Sequence, residues 1–298
     1  MPITRSAELD TFLGSVAQET IREFADKGLT EEGLSITLIE LSSPAVSSGS
    51  YRGDVSYYPA SVVKVFFLAY YEFLKDSGKL RDNPELVRAV KDMITVSSND
   101  ATGFVVDSIT GTTSGPELSG RDWEKWKEKR NAVNRFLEKR GYRGVNANQK
   151  TFCEDAYGRE QAFRDGGKNR NRTTTEAVAR LFGEIARGEI VRPAGTEEML
   201  LLLSRDVTPE KPYADLEVED ARLAGHSLPA GTQFWSKSGD AYDVHHLVAR
   251  IRLPEPENRD YVLAVFTKGV KTVPGVIPRV YEKVARRYKG RETVDGRR

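Results

Sequence analysis

Apolar residues recur three and four apart near the start of the chain, at Leu9, Phe12, Leu13, Val16, Ile21 and Phe24, and the run ends at Gly28. That spacing places one apolar stripe on an amphipathic opening helix, and a glycine is a common stop for one. The period then shortens to two in LSITLIELSS, a strand, with GSYRGDVSYYP as its antiparallel partner. Helical signals prevail from there to about residue 203. They cover Ser61 to Leu80, then PELVRAVKDMITV, then a charged segment with Trp123, Trp126, Val133, Phe136 and Leu137 on one stripe, which reads as core packing with a solvated outer face. Residues 143–175 carry Gly, Asn and charge without a period and predict a long surface loop, a kind of segment that tends to be functional inside a compact domain. Thr173 with Glu176 three residues on matches a capping box, opening a helix through EAVARLFGEIARGE. Strand patterns return only late, in TQFWSKSG, HHLVARIRLP and DYVLAVFTKG, followed by a last helix through Val276, Val280 and Val284.

Two strands early, three late and helices between them predict an α/β fold, an α+β sandwich whose sheet is assembled from both ends of the chain. The expected division is a discontinuous sheet domain, 1–60 with 204–298, and an inserted helical domain, 61–203. At 298 residues either part can bury a core without disulfides. The balance of 45 Lys and Arg against 44 Asp and Glu gives a net charge of +1 and speaks against nucleic acid or an anionic membrane surface as partner. The lone Cys153 can form no internal disulfide, and His226, His245 and His246 lack a matching third ligand, so no metal and no cofactor is expected. No apolar run reaches the length of a membrane span. No secretory signal is visible in the first thirty residues. The expected location is cytoplasmic if Met1 is the native start, and periplasmic or secreted if the chain has been trimmed.

Within YYPASVVKVFFLAYY, residues 57–71, a lysine stands in an apolar and aromatic run. A buried ammonium is costly, so Lys64 is expected to be either paired or put to use. Pro59 suits a first helical turn, which places Ser61 where backbone N–H groups lack intrahelical partners. Lys64 follows three residues on, on the same face. A lysine made less basic by burial can take the proton of a serine hydroxyl, and the free N–H groups can steady an oxyanion. Alone, Ser-x-x-Lys also fits a helix-start serine followed by a lysine that snorkels to solvent. Two further motifs change that weighing: Ser97-Ser98-Asn99, just after a helical segment, and Lys237-Ser238-Gly239, on a late strand.

The three motifs in this order resemble those of the penicillin-recognising serine hydrolase superfamily, and ITVSSNDAT and RNRTTTEAVARLF look most like its class A β-lactamase branch. The resemblance implies a five-stranded antiparallel sheet flanked by the N- and C-terminal helices. It implies that Ser61 attacks the substrate carbonyl and Lys64 accepts its proton. Ser97 would relay a proton to the leaving amine, and Asn99 would bond the substrate amide and Lys64. Lys237 and Ser238 would receive a substrate carboxylate, Gly239 would let the strand approach, and the N–H groups of Ser61 and Asp240 would form the oxyanion hole. Three departures bear on the substrate. Glu160 is the nearest match to the family's deacylating glutamate, but Arg164 stands where an asparagine is expected; Glu160 either activates water or pairs with one of the loop's own arginines. Ser98 replaces an aspartate, as penicillin-binding proteins tolerate. His245 falls where an arginine often binds the substrate carboxylate, and either does so with a dependence on pH or is a strand histidine satisfied by a carbonyl. The expected function is hydrolysis of an amide or lactam carrying a carboxylate, β-lactams first, by a monomer. A peptidase, amidase or esterase slow toward β-lactams, or a non-catalytic penicillin-binding sensor, are the alternatives.

Overall fold

The structure, a computed structural model, describes residues 2–152, 156–208, 216–226, 228–269 and 275–288, so Cys153 lies outside the described residues. A short strand, β1 (Ile3–Arg5), leads into helix α1 (Ala7–Glu23), capped where Ser6 accepts a hydrogen bond from the Leu9 N–H. The hairpin β2 (Leu34–Glu40) and β3 (Val46–Tyr51) follows. The helical section comprises α2 (Lys64–Asp76), α3 (Pro84–Thr95), α4 (Asn99–Thr110), α5 (Gly120–Arg130), α6 (Ala132–Lys139), α7 (Gly158–Arg164), α8 (Thr175–Ala186) and α9 (Pro193–Leu203). The chain then returns through β4 (Ser204–Arg205), α10 (Leu216–Gly225), β5 (Gln233–Ala241), β6 (Val244–Arg252), β7 (Asp260–Lys268) and α11 (Val276–Tyr288).

The strands form one sheet in the order β1-β3-β2-β7-β6-β5-β4, antiparallel except for the β1–β3 pair. Among the described residues this corrects the expected five strands to seven. The additions are three residues pairing with Val46–Ser48 and two pairing with Phe234 and Trp235, both too short to carry a period. Alternation along β2 sends Leu34, Ile36 and Leu38 to the face covered by α1 and α11, where they meet Leu9, Leu13, Val280 and Val284. Ile39, Val248, Ala264 and Phe266 face the opposite way, toward the helices, and share a core with α2 and α8. Helix α2 is central to that core: Val65, Phe66, Phe67, Leu68 and Ala69 are all buried, which is why the run is apolar on every side.

The stretch expected as a loop, 143–175, contains α7 and is held by its asparagines. Asn146 pairs its backbone with Arg172 and donates from Nδ2 to Asn169 Oδ1 and the Arg170 carbonyl, while Asn171 Oδ1 accepts from the Asn148 and Gln149 N–H groups. Side-chain amides here replace a ladder that the backbone does not make. The cap of α8 is Thr174, not Thr173: Thr174 accepts from the Ala177 N–H, and Thr173 pairs its backbone with Tyr57. Glu176 turns away from the cap to Arg5 and Ser50. Among the described residues no helix is long and apolar enough to cross a membrane.

Candidate active site

The segment before α2 is pinned from two sides. Tyr57 bridges to Thr173, and the Tyr58 carbonyl accepts a hydrogen bond of 2.9 Å from His246 Nε2 on β6. Ala60 then takes a positive φ of 46°, an uncommon conformation for a residue with a side chain, and Ala60–Val63 make a single 3-10 turn. Ser61 therefore sits in the turn ahead of α2 rather than inside its first turn, half-buried, with its carbonyl accepting the Lys64 N–H. Strand β5 passes directly over this turn. A Cβ placed on Gly239 would lie 2.6 Å from the Pro59 carbonyl oxygen, 3.0 Å from Val62 N and 3.1 Å from Ser61 N, so only glycine permits the approach.

Lys64, the first residue of α2, is fully buried. Its ammonium donates to the Ser97 carbonyl at 2.6 Å, to Asn99 Oδ1 at 2.9 Å and to Ser97 Oγ at 3.1 Å. Ser97 reaches it because its own φ is 56°, a second left-handed residue at the site, in the connection between α3 and α4. Ser98, the middle residue of the motif, points elsewhere: its hydroxyl accepts from the Ala101 N–H and caps α4. Serine and aspartate are both good caps, which accounts for their exchange at this position. Lys237, also fully buried, donates to Ser97 Oγ at 2.9 Å from the β5 side, and Ser238 beside it is nearly buried. One hydroxyl thus bridges two buried amines. The first, second and third motifs meet there.

Glu160 is brought to a different environment. It is fully buried, and both oxygens are engaged: Arg130 donates to Oε2 at 2.9 Å and Oε1 at 2.7 Å, and Ser114 to Oε1 at 2.9 Å. Lys150 stands 3.5 Å from Oε1 and 2.6 Å from Asp107, whose carboxyl burial pushes up despite the Lys150 and Arg130 charges. Of the two readings of Glu160 this geometry favours the ion-paired one, with the partner on α5 rather than in the surrounding loop. His245 lies between two acids. Its Nε2 lies 3.1 Å from Asp220 of α10 and its Nδ1 3.7 Å from Asp240, opposite it on β5.

Its neighbour His246, to which pattern reading assigned nothing, is bound to a carbonyl. Its Nδ1 accepts from the Thr267 N–H at 3.2 Å while Nε2 donates to Tyr58, a pair of bonds that only the neutral Nε2–H tautomer can make, and the ring stacks on Phe266. Alternation in the His-His pair was the available signal, since one of two consecutive strand residues must face inward. Burial lowers the imidazole from 6.5 to about 4. The unfolded chain takes the proton near pH 6.5, so the stabilisation is complete above that pH and is lost as pH falls toward 4, about 3 kcal/mol in all. His246→Gln keeps a donor for Tyr58 and does not titrate. Urea unfolding from pH 7 to 4 is expected to show the stability gap between wild type and variant shift by that amount; a constant gap contradicts it.

The sequence matches the model of a family described as the beta-lactamase enzyme family over residues 74–287. That span begins beyond Ser61 and Lys64. No curated protein matches the chain. Among solved structures, PBP-A is similar at 19% identity, with 97% of this chain and 98% of that one covered and a TM-score of 0.64. A variant of PBP-A, 20% identical, is an acyl-enzyme complex with penicillin G. A β-lactamase from Sphaerobacter thermophilus is 18% identical over 92% of this chain and 97% of that one, with a TM-score of 0.64. The TLA-1 extended-spectrum β-lactamase is 15% identical over 93% and 98%, with a TM-score of 0.66. At these identities the likeness is one of fold.

Proposed function

Because the chain belongs to the beta-lactamase enzyme family, we propose that it is a serine hydrolase that forms an acyl-enzyme with an amide or lactam substrate. The observation that carries this reading is the Ser97 hydroxyl held between the Lys64 and Lys237 amines, beside a turn that presents Ser61. Ser61 Oγ bonds to the substrate carbonyl carbon as its proton passes to Lys64, acting as the base. The oxyanion is met by the N–H groups of Ser61 and Asp240. Collapse breaks the carbon–nitrogen bond, and the proton reaches the leaving amine through Ser97. Asn99 holds Lys64 and the substrate amide, and Lys237 with Ser238 receives the substrate carboxylate. His245, already facing Asp220 and Asp240, is left out of that contact.

A second reading follows from Glu160. A carboxylate whose oxygens are both taken by Arg130 and Ser114 has little left to orient a water, so the ester on Ser61 hydrolyses slowly. The chain then acts on β-lactams as a penicillin-binding protein does, and its productive substrate is a linear amide or ester. Nitrocefin tests both parts. The expected trace is a burst of one equivalent followed by turnover of about 0.1 s⁻¹, some hundredfold under a typical enzyme. Absence of any reaction contradicts the acyl-enzyme, and steady turnover at about 10 s⁻¹ contradicts slow deacylation alone.

A further inference from the structure

A small cleft of about 60 Å³ opens beside Tyr58, ahead of the Ser61 turn, with Gln149, Arg164, Arg170, Asn171 and Tyr242 also on its walls. Tyr58 lies three residues before Ser61 and is tied to β6 through His246. Tyr242 lies three residues past Gly239, in the β5–β6 connection, with a φ of 52°. Their rings are 6.1 Å apart and tilted by 58°, and the Arg170 guanidinium rests against both, 4.2 Å from the Tyr58 ring and 5.2 Å from the Tyr242 ring. The Arg170 backbone is fixed too: its N–H donates to the Gly167 carbonyl and its carbonyl accepts from Asn146.

A cation–π contact uses the charge of a guanidinium and does not occupy its five N–H donors, which remain for an acceptor. Among the described residues no carboxylate pairs with the Arg170 guanidinium. Lys150, on the same cleft, differs: its ammonium is spent on Asp107 at 2.6 Å and Ser114 at 2.8 Å. A cation lying over two aromatic rings on a cleft, with no acid among the described residues as its partner, is built to receive an anion from outside. The cleft walls hold none of Ser61, Ser97 or Lys237, and adjoin the reaction centre through Tyr58, ahead of the Ser61 turn, and Tyr242, past Gly239. The acyl portion of the substrate, which stays on Ser61, is the part assigned to it.

Resting on Ser61 as the nucleophile, we propose that Arg170 determines specificity by binding an anionic group, a carboxylate by the shape of its fork, on the acyl portion of the substrate. The substrate class is an amide or lactam with a carboxylate on each side of the scissile bond. Arg170 is a binding residue here and takes no part in proton transfer.

The test separates this site from the chemistry by using Ser61→Ala protein, in which no ester can form. Calorimetry with benzylpenicillin and with its α-carboxy derivative compares one anion with two on the same scaffold. The dianion is expected to bind about tenfold more tightly, a charge-assisted contact being of that order. Adding Arg170→Gln should erase the advantage while changing benzylpenicillin binding less than about threefold, and Arg170→Lys should keep part of it. Thermal unfolding of each variant verifies that the fold survives. Equal affinities with Arg170 present, an advantage that outlasts Arg170→Gln, or no binding of either probe overturns the proposal. Mass spectrometry of wild type with the same pair reads the nucleophile separately, so a missing adduct alongside an intact affinity difference removes the acyl-enzyme and keeps the anion site.

Discussion

Lys64→Met is expected to slow acylation of Ser61 by about 10⁴-fold, the upper range for losing a positioned base. Methionine fills nearly the same buried volume without an amine to take the proton. The Ser97 carbonyl, Ser97 Oγ and Asn99 Oδ1 lose their shared donor, so stability should also fall, by about 1–3 kcal/mol. Stopped-flow acylation by nitrocefin and thermal unfolding measure the two effects on one sample. A folded variant that acylates within tenfold of wild type would assign the proton to another group.

Glu160→Gln has the opposite profile. Arg130 is fully buried, its ring-stacked guanidinium lies 4.5 Å from Trp126, and it spends two bonds on Glu160 and one on Asp107. Removing one carboxylate charge from such a network leaves a buried cation short of its counter-ion, at a cost of about 3–5 kcal/mol. Denaturant unfolding should register that loss, while acylation and adduct lifetime stay within about twofold for the molecules that remain folded. A stable variant whose adduct persists far longer than in wild type would return Glu160 to the role of water-activating base.

The chemistry was easiest to read where a residue type contradicts its local pattern. Lys64 is the case in point: an ammonium inside an apolar run has few explanations, and the structure supplies it with three oxygen partners. Ser97 and Lys237 lie far from it along the chain, and only the motif order tied them together; the bridging hydroxyl depends on a left-handed φ at Ser97 that no periodicity announces. Four of the longer strands were legible because each runs for seven or nine residues, long enough to carry a pattern, whereas β3 (Val46–Tyr51) starts before the segment expected as its strand and ends well short of Pro59, and β1 and β4 are too short to carry one. Glu160 had two readings because a carboxylate looks the same in sequence whether its partner is water or a guanidinium thirty residues away. Arg170 was hidden among the arginines of GGKNRNR. What sets it apart is contact with Tyr58 and Tyr242, which reach it from distant parts of the chain.

The central claim concerns a covalent bond at one hydroxyl, and intact mass spectrometry reads that bond directly. Wild type exposed to benzylpenicillin and acid-quenched within seconds should gain the mass of one penicilloyl group, mapped by peptide digestion to Ser61, and Ser61→Ala should gain nothing. An unmodified wild-type mass across several β-lactams and activated esters, or an adduct that Ser61→Ala still forms, would contradict the account.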